Sequence, residues 1–353
     1  MKQRFLFITR NYPPKVGGLE AYSYNLIKEF EKNHTVFKIV LTRSIVHLLW
    51  FLPYSLLLGF FYIRKHSISH VHLCDGVLSP VGILLKLFSG AKLSISIHGL
   101  DITYRNSFYQ SLIPWCVARL DKIICVSEST FQECRQRGIP MRKCTVIPNG
   151  IHPDEIYRPN SKNDLRGKLE KGIGVSLRDK TILVTVGRLV KRKGVAWFVS
   201  QVMPRLDISY CYLVVGSGPE YKRIKELCTS LKLDQRVLLL GEVIKEERNL
   251  ILNASDIFIM PNITVAGDVE GFGIVALEAG SCGLPSVASN IQGIKDAVIN
   301  EVSGYLVEER NADDFLKKIN SMDIDRDQVR SAVARNFSWQ KIFFRYQQVL
   351  LAT

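Results

Sequence analysis

No two of the eight cysteines in this 353-residue chain form a C-x-x-C pair or another metal-ligand spacing, and no His and Cys cluster supplies one. Most lie in apolar runs, Cys125 in KIICVSES and Cys211 in SYCYLVVG. That pattern describes buried free thiols in a reducing compartment, since a core of this size has little use for a disulfide framework. A long-period repeat and low-complexity tracts are missing too, which excludes solenoids and disordered arrays. The N-terminal MKQRFLFITRNYPP holds only a short apolar run, too brief for the hydrophobic part of a signal peptide, and reads as a first β-strand. The expectation is a protein made and acting in the cytosol. Basic residues interleaved with aromatics, the mark of a nucleic-acid binder, are absent as well.

Charge is plentiful but lopsided. The net charge is +14, yet residues 1–152 hold 19 basic against 8 acidic side chains, and the remaining 201 hold 28 against 25. The first part therefore suits nucleic acid, anionic lipid or an anionic substrate. With 47% hydrophobic and 23% charged residues the chain is globular, and its length accommodates two domains. One run stands out: IVHLLWFLPYSLLLGFFYI, Ile45 to Ile63, flanked by Arg43 and by Arg64 and Lys65. Its length alone nominates a membrane span. His47, Pro53, Tyr54, Ser55 and Gly59 argue against one, as does the strand-like SHVHLCDG that follows. The run is read instead as a helix packed on a sheet, with one side dipping into a bilayer surface.

Short apolar strands alternate with helical stretches throughout. RFLFIT, HTVFKIVLT, SHVHL, KLSISIH, KIICVS and CTVIPNG are the strands of a first series. TILVTVG, YCYLVVG, RVLLLG, DIFIMP, PSVAS and GYLV form a second. Such alternation predicts parallel sheets covered on both faces, hence an α/β chain of two doubly wound domains. The break is read in the polar stretch from Tyr157 to Lys180. Domain bounds follow as 1–160, joined by a C-terminal helix at about 338–353, and 161–337.

Ligands of open α/β sheets bind beyond the carboxyl ends of the strands, so the loops there deserve the closest reading. Gly17 and Gly18 precede a helix, where backbone N–H groups can meet an oxyanion. Arg188 follows a strand directly and Lys193 stands before Gly194 and a helix, an arrangement fit for a diphosphate. Gly216 and Gly218 make a further glycine loop, without the spacing of a dinucleotide fingerprint. His98 and Asp101 lie at the end of SISIHGLD. In DVEGFGIVALEAG, Glu270 and Glu278 are eight positions apart around a Gly-Phe-Gly turn. The Asp-x-Asp of DIDRD, Asp323 to Asp327, is read as a solvated helical segment.

Taken in order, GGLEAYSYNL, SHVHLCDGVLSPVGILLKL, IHGLD, VSES, VIPNGI, VGRLVKRKG, VVGSGPE, DVEGFGIVALEAGSCGLPSVAS and NEVSGYLVE cover nearly the whole length. As a set they resemble the family-4 retaining glycosyltransferases, whose GT-B architecture sets two Rossmann-like domains across a cleft. The resemblance implies a nucleotide-diphosphate sugar as co-substrate, GDP-mannose or a UDP-hexose, and no cofactor or divalent metal. Glu278 would accept from ribose hydroxyls and Glu270 would hold hydroxyls of the transferred sugar, beside the N–H groups of Phe272, Gly273 and Ile274. Arg188, Lys193 and the amides near Gly17 and Gly18 would stabilise the departing diphosphate, with Gly216 and Val243 also on the donor side. His98 would touch the sugar or the acceptor, and Glu20 and Asp101 belong to the acceptor side.

No two carboxylates are evidently placed for double displacement, so attack on the front face is expected. The acceptor implied is lipid-linked or polysaccharide, in glycan or cell-envelope synthesis. Arg135, Arg137, Arg142 and Lys143, together with the 45–63 run, are read as a patch for an anionic membrane at its inner face. No nucleic acid is expected as a partner. The rival readings are a nucleotide-sugar epimerase of similar build and a non-catalytic basic binding protein.

Overall fold

The computed structural model describes residues 2–15, 17–42, 45–158 and 161–351. The first six strands are β1 (Arg4–Thr9), β2 (Thr35–Val40), β3 (His70–Leu73), β4 (Lys92–Ile97), β5 (Lys122–Cys125) and β6 (Cys144–Val146). They form one sheet in the order β2-β1-β3-β4-β5-β6, parallel throughout. The second six are β7 (Thr181–Val186), β8 (Tyr210–Val215), β9 (Val237–Gly241), β10 (Ile257–Met260), β11 (Ser286–Ser289) and β12 (Gly304–Val307). Their order is β12-β11-β10-β7-β8-β9, again parallel. Every strand read from an apolar run is present, because a strand buried on both faces shows as a nearly unbroken hydrophobic stretch.

Each sheet belongs to its own compact unit. The first unit runs through Gly150 and takes in Gly267–Phe272 and the chain from Trp339 onward; the second holds Ile151–Ala266 and Gly273–Ser338. The loop Gly267–Phe272, which the sequence reading leaves in the second domain, thus groups with the first unit.

Different helices cover the two faces of the first sheet. On one face lie α1 (Gly18–Asn33) and the helix Trp339–Leu351, around Phe5, Phe7, Phe30 and Phe343. Tyr346 of that last helix shares a hydroxyl contact with Tyr22 at 2.6 Å and with Ser96 at 3.1 Å, and the Trp339 ring fills the space where Gly150 has no side chain. On the other face lie α2 (Leu48–His66), α3 (Ser79–Ser89) and, after the short α4 (Leu100–Thr103), α5 (Ser107–Val117). The apolar run is therefore a helix on a sheet, entered by a 3₁₀ turn at Ile45–His47, with Phe51, Ser55, Gly59 and Ile63 as its buried stripe. No helix among the described residues is long and apolar enough to cross a membrane.

Two expectations need correcting. The stretch from Tyr157 to Lys180, read as the break, holds a helix, Lys162–Ile173, and the units divide before it, between Gly150 and Ile151; Pro159 and Asn160 lie outside the described residues. Ser161 caps it by accepting from the Asp164 N–H at 3.2 Å, Leu165 and Leu169 bury its inner side, and Lys162 and Arg166 pair with Asp256. Two leucines in a charged segment give too faint a period to be seen against that polarity. DIDRD is a loop entering a helix: Asp325 caps Arg326–Phe337 by accepting from the Gln328 N–H, and Asp323 accepts from the Tyr305 hydroxyl. Aspartates compete for backbone N–H groups and so favour caps over helix interiors.

Candidate active site

In an open α/β sheet the crevice for ligand forms where the strand order reverses direction. The first sheet reverses between β1 and β3, and the loops after those strands meet there. Asp75, wholly buried, is the centre of the meeting. Arg10 Nε lies 2.7 Å from its Oδ2, close enough for an ion pair though not aligned for a hydrogen bond. Asn11 donates to the same oxygen at 3.1 Å and the Val77 N–H donates to the other at 2.9 Å. Burial pushes this carboxyl up from its ordinary value, against the pull of Arg10.

His98 and Asp101 follow β4 in the same unit. The Asp101 carboxylate accepts from the N–H groups of His98 and Gly76, each at 2.9 Å, so it braces two loops. Burial raises its pKa against those two donors. His98 Nε2 is 3.0 Å from the Cys74 carbonyl, and the ring stands edge-on to Tyr22 at 4.5 Å between centroids. A carbonyl only accepts, so Nε2 carries the proton and Nδ1 keeps its lone pair. Burial drives this imidazole down to about 4, although Asp75 and the Cys74 carbonyl pull upward. His98 is therefore a neutral group presenting an acceptor nitrogen.

Gly271 rests directly on the His98 backbone: a side chain there would overlap the His98 carbonyl oxygen. This close approach is why the Gly-Phe-Gly turn needs its first glycine, and it carries half-buried Glu270 and buried Phe272 into the first unit beside His98. Gly17 and Gly18 are exposed at the start of α1, with Gly17 extended. The half-buried Glu20 folds its carboxylate back toward Gly17.

The second sheet reverses between β7 and β10. Arg188 is exposed just past β7, and half-buried Lys193 closes the turn Lys191–Lys193 with its Cε near Gly187. Gly194, with φ +66°, lies against the Pro261 carbonyl so closely that a Cβ would overlap it, and the Ile263 N–H donates to the Arg192 carbonyl at 2.9 Å. The two loops are thereby joined through backbone. Beyond β8, the Gly216 N–H donates to the Gly241 carbonyl at 2.7 Å, and Val243 lies half-buried before the helix Lys245–Ala254. The helix Ile274–Ser281 starts from Gly273 in a left-handed conformation, φ +87°. Its second turn holds Glu278, whose side chain is 13% exposed and pairs with Arg248 at 3.1 Å. Burial raises the Glu278 pKa while Arg248 and Lys245 oppose it.

Arg188, Lys193, Gly216, Val243, Gly273, Ile274 and Glu278 thus share one unit, and Gly17, Gly18, Glu20, His98, Asp101, Glu270 and Phe272 share the other. Sequence reading missed Arg10, Asp75 and Arg248. The one signal for Asp75 is an acid set straight after a buried strand, and nothing local marks Arg248. The expected basic patch is partly spent internally. Arg137 binds Glu133 and Gln110, and Lys143 donates to the Ala118 and Leu120 carbonyls at 2.8 Å.

Residues 16–155 match the model described as Glycosyltransferase Family 4, and residues 170–337 match Glycosyl transferases group 1. The phosphatidylinositol N-acetylglucosaminyltransferase GPI3 subunit of Saccharomyces cerevisiae is 25% identical over 80% of this chain, which spans 62% of that protein's length. The UDP-Gal:alpha-D-GlcNAc-diphosphoundecaprenol alpha-1,3-galactosyltransferase of Escherichia coli is 28% identical, covering 77% of this chain and 70% of that one. The solved structure of Anabaena HepE in complex with UDP superposes with a TM-score of 0.81 over 99% of both chains at 18% identity, a likeness of fold. The two family matches lie one in each sheet-bearing half and leave little of the chain outside them, so this protein belongs to the glycosyltransferases of family-4 type, with the GT-B fold.

Proposed function

We propose that the chain moves a hexosyl unit from a nucleotide-diphosphate sugar to a lipid-linked or polysaccharide acceptor, retaining the anomeric configuration. The observation that carries this reading is the crevice at the second sheet's reversal, where Arg188 and Lys193 stand at one strand end and Glu278 stands in a helix that opens on Gly273. Cations suit a diphosphate and a carboxylate suits the paired hydroxyls of a ribose. The acceptor's hydroxyl attacks the anomeric carbon on the face from which the sugar–phosphate bond breaks. The bonding pair leaves with the diphosphate, and a phosphate oxygen takes the hydroxyl proton. Arg188 and Lys193 stabilise the growing charge, doing a divalent metal's work. Neutral His98 accepts from a hydroxyl through Nδ1, and Glu270 holds hydroxyls of the transferred sugar. Asp101 keeps the His98 loop in place through its N–H bond.

The names of the relatives favour a UDP-hexose over GDP-mannose as donor, and a lipid diphosphate or phospholipid as the acceptor's anchor. A peripheral protein on the inner face of a membrane fits such an acceptor. The test is a donor panel read as release of UDP or GDP, with and without a lipid extract, followed by assignment of the product's anomeric configuration. Lipid-dependent release from one donor with retention is the expected result. Release of neither nucleotide from any donor, or an inverted product, overturns the reading.

A further inference from the structure

The outer side of α2, α3 and α5 is covered by nothing among the described residues. Leu49, Trp50 and Leu57 of α2 are 81%, 78% and 72% exposed, and Leu87 and Phe88 of α3 and Phe108 of α5 continue the surface. The exposure does not reflect a helix poorly seated on its sheet. The stripe Phe51, Ser55, Gly59 and Ile63 already faces inward, and Gly59 lets α3 approach so closely that a Cβ would stand 3.1 Å from Leu85. A neighbouring row of helix positions is left apolar with no partner.

The charge along this stretch is mainly basic, although Lys86 is paired with Asp121 just beyond it. Between residues 45 and 120 the only acids are Asp75 and Asp101, and both are buried. The same stretch holds Arg64, Lys65, Lys86, Lys92, Arg105 and Arg119. Two of these cations lie over exposed rings: Lys65 over Phe61 at 5.1 Å and Arg119 over Trp115 at 3.6 Å. Rings beside long cationic side chains are the arrangement found at the headgroup level, where the rings enter the acyl boundary and the charges reach phosphate. A second copy is a poor occupant. Self-pairing about a twofold axis would set cation against cation, with no exposed acid from this stretch to answer them.

We infer that the α2–α3–α5 face seats the protein on a bilayer containing anionic lipid, with α2 lying in the interfacial plane. The role given to that seat, bringing the chain to its acceptor, rests on the reading of a lipid-linked acceptor; the surface itself does not. Vesicles of phosphatidylcholine alone, or mixed with phosphatidylglycerol, are sedimented with the whole protein. Binding to the mixed vesicles that weakens in high salt is expected. Trp50→Glu combined with Leu57→Glu should lower that partitioning by ~10-fold or more, because each swap removes apolar surface from the boundary and adds a repelled charge. Both positions are exposed, and unchanged UDP release from detergent-dispersed acceptor confirms that the variant is folded. Equal sedimentation of variant and wild type overturns the proposal, as does wild type left in the supernatant. A dimer in sedimentation velocity that the double substitution dissolves, without vesicle binding, assigns the face to a second copy instead and also overturns it. Vesicle binding that persists when every donor fails would leave this surface standing and remove the catalytic reading.

Discussion

The two units solve one problem with different chemistry. Each must hold together the two loops at its strand-order reversal, where a doubly wound sheet offers a crevice. The first unit does so with side-chain charge: Asp75, wholly buried, ties Arg10 and Asn11 to the loop after β3. The second does so with backbone, pressing Gly194 onto the Pro261 carbonyl. The histidines divide in the same way, for His152 alone of the seven falls in the second unit. A crevice joined through backbone needs no buried acid to hold its loops, and Arg188 and Lys193 stand beside that joint. A crevice joined by a buried acid commits charge to the protein itself, and its stability should follow pH.

Arg10→Ala breaks the first device most directly, since Asp75 is left charged and buried without its cation. A loss of about 3–5 kcal/mol is expected at neutral pH. The folded-state pKa of Asp75 is already raised, so the folded protein takes up a proton there more readily than the unfolded chain. The deficit should therefore shrink as pH falls, and denaturant melts at two pH values measure it. A deficit that is constant with pH would mean that Asp75 is not the group in distress.

The second device is tested through the two cations that stand beside it. Arg188→Ala and Lys193→Ala should each lower kcat by ~10²-fold, with less than additive loss when combined, because both serve one leaving group. Steady-state rates at saturating donor decide it. Near-normal turnover in both variants would reduce the turn Lys191–Lys193 to a solvated basic loop. Gly194→Ala attacks the backbone contact instead and should cost about 1–3 kcal/mol, read as a lowered Tm, since the residue must leave a positive φ or displace Pro261.

The smallest effect concerns acid sensitivity. His72, bonded to Ser94 and Ser96, is held down to about 3 by burial, and His98 to about 4. Both bind fewer protons folded than unfolded below the ordinary histidine value of about 6.5, so their contribution is lost as pH drops through that range. His72→Gln should flatten the fall of Tm between neutral and mildly acidic pH. An unchanged slope would place the acid sensitivity elsewhere.

What the sequence discloses depends on how local the physics is. The twelve strands are legible because double burial writes itself as consecutive apolar residues. So are Arg188 and Lys193, which sit next to the strand that presents them. Arg10 and Asp75 are not legible as a pair, because 65 positions separate them and only the reversal of strand order brings their loops together. Arg248 was invisible for the same reason: it reaches Glu278 from a different helix. The exposed face of α2 was half legible. Its composition marks an apolar helix, but which stripe faces outward is settled only by the packing of Gly59 against α3.

The helix Trp339–Leu351 makes the first unit the last to be finished. A ribosome delivers β1 through β6 early, yet Tyr22 has partners in Tyr346 and Trp339, and Phe30 has one in Phe343, which emerge only after the whole second unit has been made. Until then one face of the first sheet has α1 but lacks its second helix, while the strands and helices of the second unit are already made. Vectorial synthesis therefore inverts the order of folding, and a nascent chain halted before Trp339 should engage holding chaperones through its oldest residues rather than its newest.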